Sequence, residues 1–420
     1  MTIVNSSQSV ENDERIFIHQ VGSMTAIIQP MPWLRSASFG LAVDAGLVAE
    51  PDDKLGLSGL VCEMAQRGAG NRSSRQITED LDNLGVDRNS GVTSASTSFS
   101  ASMPTENLYR ALAIYGDIVR RPHLPIDQLE DARAMAIQEL RAIEDEPTHR
   151  VMRQLKTSMY GTVLGRSAYG NSEGLESISA DDVREFFKTR YHKGGSLLAI
   201  AGKVEPDALL VEIEKIFGDW REGERLDEPQ PKFTAENVHI ELQSSQTHIG
   251  FGFPTVPYGH EDYFAMRAGI GVLSDGMSSR LFDRVREQRG LCYTVSASTH
   301  SLRRAGSVMG YAGTTPPRAQ ETLDVTINEI NAVTEGLTQE EVDRWKVRIQ
   351  SGLIMENESS ASRAGSLISD YYQIGRVIPT TELEEQIEAI DCDSIIDFWT
   401  KNPVKKIAIS TVGPDQLTTV

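Results

Sequence analysis

Cys62 and Glu63 stand side by side in a segment, residues 55–70, with the sequence LGLSGLVCEMAQRGAG. Both side-chain types bind zinc in proteins, and a zinc ion with an open coordination position activates water for hydrolysis. Consecutive residues on a helix, however, point about 100° apart, and Gly59, one turn earlier, has no side chain to bind a metal. The spacing therefore predicts no tight zinc site: Cys62 is expected to pack as a small apolar residue, and Glu63 to be ion-paired or solvated.

The histidines offer no substitute for a metal motif. No two of them are three to five positions apart, which is the spacing that would place two imidazoles on one helix face: His19, His123, His149, His192, His239, His248, His260 and His300. Glycine-rich nucleotide-binding patterns are also missing, so phosphate binding has no support.

The residues around Cys62 nevertheless retain the frame of a known motif. Gly56 opens the segment, and Met64, Arg67 and Gly68 stand where the inverted zinc peptidases, with their His-x-x-Glu-His signature, have Met, a basic residue and Gly. The positions of the signature itself are held by Gly59, Cys62 and Glu63. The stretch resembles the pitrilysin/insulinase family, which includes the mitochondrial processing peptidase, and the resemblance extends from about residue 15 to residue 420.

In that family the third zinc ligand is a glutamate on a later helix. The resemblance places it at Glu139, seventy-six positions after Glu63, in the sequence AIQELRAIEDEP. One ligand of three is then retained, and the degenerate metal positions are Gly59, Cys62, Glu63 and Glu139. We therefore expect no metal cofactor in this chain, and expect the zinc in a partner subunit that carries an intact His-x-x-Glu-His motif.

Residues 273–298, LSDGMSSRLFDRVREQRGLCYTVSAS, resemble the signature of the family's C-terminal half. The resemblance implies that Arg286 and Tyr293, seven positions apart, act as a catalytic pair that stabilises an oxyanion at a zinc site held by another half. Guanidinium and phenol groups are suitable hydrogen-bond donors for such a charge. The alternative is structural: Arg286 pairs with Glu287 or an aspartate, and Tyr293 packs in the sheet.

The segment DRNSGVTSASTSFSASM, residues 87–103, alternates small and polar residues, which is typical of a strand with one wet face. In the resemblance, residues 89–97 belong to the sheet edge to which an extended substrate adds by main-chain hydrogen bonds. The expected substrate-binding residues are Asn89, Ser90, Gly91 and Val92. An ordinary solvent-facing strand is the alternative.

A length of 420 residues suits two domains of about 200 residues each. An internal duplication supports this division, because residues 124–140 align with residues 337–353, and Arg150 aligns with Arg363 at the same offset. Strands and long helices mix without a regular βαβ rhythm, which indicates an α+β fold with mostly antiparallel sheets and helices on one face. The predicted divisions are a disordered leader (1–14), an N-terminal domain (15–220), a linker (221–235) and a C-terminal domain (236–420).

The net charge and the cysteine content limit the possible functions and the cellular location of the protein. A formal net charge of −19 argues against nucleic-acid binding, which depends on clustered lysine and arginine. The three cysteines are too few and too scattered for a disulfide framework, which favours a reducing compartment. Neither a signal peptide nor a membrane span is indicated, so a cytoplasmic location is expected.

Three functions remain open from the sequence. The favoured one is a non-zinc subunit of a heteromeric zinc peptidase, inactive alone, that supplies peptide-binding surface together with Arg286 and Tyr293. The second is a structural or binding member of the family with no role in proteolysis. The third is an active peptidase with an atypical metal site. The peptide substrate and the partner's identity are not encoded in any motif.

Overall fold

The computed structural model describes residues 15–418, so the predicted leader lies outside the described residues. The strands are β1 (Phe17–Val21), β2 (Met24–Pro30), β3 (Ser36–Val43), β4 (Gly68–Ala69), β5 (Arg72–Ser73), β6 (Asp87–Val92), β7 (Thr97–Pro104), β8 (Leu197–Gly202), β9 (Asn237–Glu241), β10 (Thr247–Thr255), β11 (Cys292–Leu302), β12 (Ala305–Thr314) and β13 (Ala408–Gly413).

The α-helices are α1 (Leu57–Ala65), α2 (Ser74–Asn83), α3 (Leu108–Arg120), α4 (Leu129–Glu144), α5 (Pro147–Leu164), α6 (Ser172–Ser177), α7 (Ala180–Arg190), α8 (Pro206–Phe217), α9 (Tyr263–Ser274), α10 (Ala319–Asn331), α11 (Gln339–Asn357), α12 (Ser360–Ile374), α13 (Thr380–Glu388) and α14 (Cys392–Lys401). A π-helical turn spans Phe282–Glu287.

The chain forms two compact units. The first comprises residues 15–140, 166–228 and 354–372, and the second comprises residues 141–165, 229–353 and 373–418. The crossing between residues 228 and 229 lies inside the predicted linker, but each unit also takes in one segment from the other half of the sequence. The continuous ranges 15–220 and 236–420 therefore do not describe these units.

Each unit is built on one mixed, mostly antiparallel sheet. The strand order is β1-β2-β8-β3-β7-β6 in the first unit and β11-β12-β10-β13-β9 in the second. Each sheet has one parallel pair, β2 with β8 and β13 with β9. The two orders correspond strand for strand from β6 to β2 and from β11 to β9, as the duplication predicts, and the α+β class is confirmed.

In the first unit, β3 shows why helices cover both faces of the sheet. Phe39 belongs to the core, with its ring centroid 5.1 Å from that of Tyr115 on α3. On the opposite face Ser38 hydrogen-bonds Ser360 of α12 at 2.8 Å. A Cβ atom added to Gly40 would lie 2.6 Å from the Ile368 side chain. The glycine therefore lets α12 lie close to the strand.

The second unit repeats this arrangement with a different helix. Ile249, Phe251 and Phe253 of β10 belong to its core. On the other face a Cβ atom at Gly252 would lie 2.4 Å from the sulfur of Met159, which is on α5. Each sheet is thus covered on its second face by a helix from the opposite half of the sequence, a feature absent from the prediction of helices on one face.

Residues 87–103 form a hairpin, so the prediction of a single strand was wrong. Strand β6 ends at Val92, and the turn is closed by hydrogen bonds from the Thr93 amide to the Ser96 carbonyl at 2.8 Å and from the Ser96 amide to the Thr93 hydroxyl at 3.1 Å. The hydroxyl groups satisfy the turn locally. The residues of the turn are small and polar, and so continue the alternation of small and polar residues in the two strands. For this reason the sequence pattern did not reveal the turn.

Candidate functional site

The N-terminus of α1 is held by a buried carboxylate. Glu50 accepts hydrogen bonds from the amides of Gly56 at 3.2 Å and Ser58 at 2.9 Å. Arg166, also buried, donates to the carbonyls of Leu47 at 2.8 Å and Glu50 at 2.7 Å. The two bonds to Glu50 satisfy amides that a helix start otherwise leaves without partners. Arg166 fixes the main chain of the segment that precedes the helix.

Cys62 lies inside the core of the first unit with 5% of its surface exposed. Burial raises the pKa of its thiol to about 12. Metal ions bind the thiolate and not the thiol, so Cys62 stays protonated and is a poor ligand near neutral pH. The packing expected from the sequence is the packing observed.

Glu63 is engaged by Arg67, two residues beyond the end of its helix. Arg67 Nε donates to Glu63 Oε1 at 2.9 Å, and the same guanidinium contacts the Gln128 carbonyl and the Met135 sulfur, each at 3.4 Å. Met135 precedes Glu139 by one turn of α4, so both share the helix face that meets Arg67. Glu139 itself is exposed.

These residues do not fit a zinc ion. Gly59 supplies no donor, Cys62 is a buried thiol, and Glu63 is paired with a guanidinium. Across residues 15–418 no group of three or more His, Cys, Asp or Glu side chains is arranged to hold a metal. Gly59, Cys62 and Glu63 therefore lie on one helix but do not supply the donor chemistry of a metal motif.

The predicted substrate residues Asn89, Ser90, Gly91 and Val92 lie on β6, the edge strand of the six-stranded sheet. Among residues 15–418 the strand pairs only with β7, in a register that joins Ser90 to Phe99. Gln66 at the end of α1 donates to the Ser90 hydroxyl at 3.1 Å, so the edge strand is connected to the motif helix. A partly exposed edge of this kind offers unpaired main-chain groups to an extended peptide.

Arg286 lies in the π-helical turn of the second unit. The Gln288 amide donates to the Asp283 carbonyl at 2.8 Å, five positions earlier, which is the π-helical pattern. The Arg286 guanidinium lies 5.3 Å from the ring centroid of Tyr293, so the structure brings the two predicted residues together. Arg286 Nε also lies 3.4 Å from Glu287 Oε1, the partner that the structural alternative proposed.

Tyr293 does not pack in the sheet. The pairing of β11 with β12 shifts register between Cys292 and Thr294, which leaves Tyr293 as the extra residue of a β-bulge. Its side chain is 81% exposed. Bulges re-aim side chains and often adjoin active sites, as π-helical turns do. Both members of the pair thus stand on irregular backbone.

Sequence reasoning missed Phe282, whose ring centroid lies 4.5 Å from the Arg286 guanidinium. Its position four residues before Arg286 is a signal that could have found it, because such residues share a helix face. Gln66 was also missed, since nothing in a sequence indicates that its amide reaches Ser90.

Comparison with known proteins gives consistent matches over most of the chain. The profile described as insulinase (peptidase family M16) matches residues 27–172, and the profile described as peptidase M16 inactive domain matches residues 177–348. An uncharacterized zinc protease of Rickettsia felis is 27% identical, with 94% of this chain and 96% of the relative covered. A similarly named protein of Bacillus subtilis is 25% identical, with 92% and 95% covered.

Solved structures show the same fold. The crystal structure of a peptidase M16 inactive domain from Pseudomonas fluorescens has a TM-score of 0.87 at 21% identity, with 96% of this chain and 100% of that chain covered. A protease from Helicobacter pylori also has a TM-score of 0.87, at 15% identity, with 95% and 99% covered.

Two matching α+β units and a motif helix without its ligands define a metallopeptidase-like chain of the pitrilysin type. The chain belongs to the insulinase family, peptidase family M16. No helix within residues 15–418 combines the length and apolar character needed to cross a membrane.

Proposed function

We propose that this chain is the non-zinc subunit of a two-chain zinc peptidase. It supplies Arg286 and Tyr293, and an edge strand for peptide binding, to a partner subunit of the same family that carries His-x-x-Glu-His and the zinc. The observation that carries the proposal is the exposed Arg286–Tyr293 pair, held on a π-helical turn and a β-bulge, in a chain whose own metal positions lack donors.

The exposure of the pair supports a role outside the fold. A tyrosine that is 81% exposed contributes little buried area, so packing gives no reason for the bulge that presents it. The Arg286 side chain is 35% exposed and forms a surface ion pair with Glu287, which contributes little to stability. Neither side chain thus contributes much to the stability of the fold, and contact with a ligand would explain why both are presented at the surface.

The chemistry of the pair suits peptide hydrolysis. Attack of water on a peptide carbonyl places negative charge on the carbonyl oxygen, and fixed donors at that oxygen lower the barrier. The phenol of Tyr293 donates one hydrogen bond, and the guanidinium of Arg286 adds further N–H donors and a permanent positive charge. The zinc, bound in the partner, would supply the activation of water.

Strand β6 supports peptide binding of low sequence selectivity. Edge-strand addition uses main-chain hydrogen bonds, which every peptide except proline can make. Asn89, Ser90, Gly91 and Val92 present this edge, and a Cβ atom at Gly91 would meet no heavy atom within 4 Å. This open space lies on the face of the sheet, where the side chains of an added peptide strand would stand.

The test is reconstitution. This chain is co-expressed with an insulinase-family chain from the same genome that has an intact His-x-x-Glu-His motif, the neighbouring open reading frame being the first candidate. Hydrolysis of a quenched fluorescent peptide is measured for each chain alone and for the complex. We expect activity of the complex to exceed that of either chain by at least about 10²-fold, the size of an oxyanion-stabilising contribution.

Two results would overturn the proposal. A complex that forms but hydrolyses no faster than the zinc-bearing chain alone would indicate a structural or binding member of the family. Metal-dependent hydrolysis by this chain alone, with one tightly held zinc per chain, would indicate a peptidase with an atypical metal site.

A further inference from the structure

We propose that Phe282 is a positioning residue that holds the guanidinium of Arg286 in place before any substrate arrives. The inference rests on the proposed function for its effect on hydrolysis, but the ordering of Arg286 is a property of this chain alone. The sequence signature does not by itself give Phe282 a role.

The contacts around Arg286 carry the inference. Its Cζ atom lies 4.5 Å from the ring centroid of Phe282 and 5.3 Å from that of Tyr293, both within the range of cation–π attraction. The shorter contact is the one to Phe282. Phe282 is the better anchored of the two rings. It is half-buried and belongs to the helical turn, whereas Tyr293 is largely exposed.

The local backbone fixes the geometry of this contact. Phe282 and Arg286 are four residues apart in the turn Phe282–Glu287, so their side chains lie on one face. The turn is closed by the Gln288 amide on the Asp283 carbonyl, and the Gln288 side chain donates to the Asp283 carboxylate at 2.6 Å. The Gly290 amide donates to the Arg286 carbonyl at 2.9 Å. The main chain under Arg286 is therefore held at both ends.

Preorganisation is the physical consequence. A free arginine side chain samples many rotamers, and fixing one of them costs conformational entropy. If Phe282 fixes the guanidinium in advance, that entropy is not lost during the reaction, and the effect appears in the turnover number and not in peptide affinity.

The first measurement needs only this chain. In protein labelled with ¹⁵N at arginine side chains, we expect the Arg286 Nε–H bond to have an order parameter near 0.8, and below about 0.6 in Phe282→Leu. Phe282→Tyr retains the ring and should keep the wild-type value. Phe264→Leu is the matched control, because Phe264 is a half-buried phenylalanine of the same unit whose ring partner is Tyr263. Equal order parameters in wild type and Phe282→Leu would overturn the proposal.

The second measurement uses the complex with the zinc-bearing family chain. Phe282→Leu should lower kcat about 3- to 10-fold with KM within about twofold, Phe282→Tyr should restore kcat, and Phe264→Leu should change neither. An unchanged kcat in Phe282→Leu, or a change confined to KM, would overturn the catalytic consequence.

The two arms separate this inference from the proposed function. If Arg286→Ala and Tyr293→Phe leave the activity of the complex intact, the proposed function is wrong. The order parameter of Arg286 still decides whether Phe282 holds the guanidinium.

Discussion

Tyr293 is exposed because a bulge interrupts the pairing of β11 with β12 at that residue, and Arg286 reaches its ring from a π-helical turn. Cys62 shows the opposite outcome, since burial keeps its thiol protonated at a position where the family signature has a polar residue. The degenerate metal positions therefore lack metal donors, whereas Arg286 and Tyr293 remain in contact.

The substitution Tyr293→Phe tests the catalytic contribution of the Tyr293 hydroxyl group most directly. The substitution removes one hydroxyl group and almost no volume, so the chain should fold and assemble normally. In the complex with a zinc-bearing family chain, we expect kcat to fall about 10²- to 10³-fold with little change in KM, because the lost hydrogen bond forms only in the transition state. Steady-state hydrolysis of a quenched peptide measures both constants.

Tyr109→Phe serves as the control, because Tyr109 is also an exposed tyrosine but belongs to the first unit. Arg286→Ala should reduce kcat at least as much as Tyr293→Phe, and the double variant should lose less than the product of the two effects, since both groups serve one transition state. A fully active Tyr293→Phe complex would show that the phenol has no catalytic part.

At the scale of elements, the sequence indicated α1 and its surroundings correctly because the information is local. Gly56, Met64 and Arg67 lie within one short segment, and the spacing of Arg286 and Tyr293 is preserved inside a continuous signature. The bulge at Tyr293 depends on pairing with β12, and the turn at Thr93 depends on its own hydroxyl bonds. Neither is visible as a change in apolar periodicity.

The sequence also could not predict that α12 covers the first sheet and α5 the second. Amphipathic spacing says that a helix has an apolar face but not which sheet receives it. Small residues such as Gly40 and Gly252 admit the helices, yet a glycine in a strand predicts equally well a bulge or a close approach. Only the contact between distant segments distinguishes these outcomes.

Restoring the metal motif tests whether α1 and α4 still present a zinc geometry. The triple variant Gly59→His, Cys62→Glu, Glu63→His should bind close to one zinc per chain, because the helix start is held by Glu50 and Glu139 lies one turn after Met135, which contacts Arg67 just beyond α1. Metal analysis after dialysis against trace zinc gives the stoichiometry. The wild-type chain should retain none.

Adding Glu139→Ala to the triple variant is the matched control and should abolish tight binding. A triple variant that folds, by circular dichroism, yet binds no zinc would show that Glu139 does not occupy the third ligand position.

The turn that carries Arg286 is anchored by another ion pair. Arg280, 3% exposed, donates to both carboxylate oxygens of Glu341 on α11, at 2.7 and 2.9 Å. Burial opposes ionisation of Glu341, but the hydrogen bonds and charge of Arg280 outweigh it and lower its pKa to about 2. Glu341→Gln leaves a buried guanidinium without its counter-charge and should reduce the free energy of unfolding by about 2–4 kcal/mol at pH 7.

The pH dependence has a definite sign. A carboxyl group whose pKa is lowered by folding stabilises the fold at pH values above its pKa in the unfolded chain. This contribution is lost as the pH falls from about 4.5 to about 2. The difference between wild type and Glu341→Gln should therefore shrink over that window in urea unfolding. Glu340→Gln is the neighbouring control, because Glu340 is 83% exposed and its pair with Arg344 is a surface one. A difference that stays constant down to pH 2.5 would contradict this assignment.

At the scale of the whole molecule, the duplication has produced two units with matching strand orders and different retained chemistry. The first unit keeps an edge strand and an empty motif frame, and the second keeps the Arg286–Tyr293 pair. Within residues 15–418, neither unit presents a group of three or more His, Cys, Asp or Glu side chains arranged to hold a metal. The proposed two-chain enzyme assigns the water-activating zinc to the partner and the Arg286–Tyr293 pair to this chain.

Association is the prediction that follows at this scale. We expect a 1:1 complex between this chain and the zinc-bearing family chain, with at least about 1,200 Å² of total surface buried, the usual lower size for a specific interface. Self-association should be weaker, because each copy carries a formal net charge of −19 and like charges repel across an interface. Sedimentation velocity of each chain and of the mixture gives the stoichiometry, and raising sodium chloride from 0.05 to 0.5 M should reduce the penalty on self-association by screening. A single monomeric species in the mixture at every salt concentration would rule out the two-chain enzyme, whatever the variants of Tyr293 and Arg286 show.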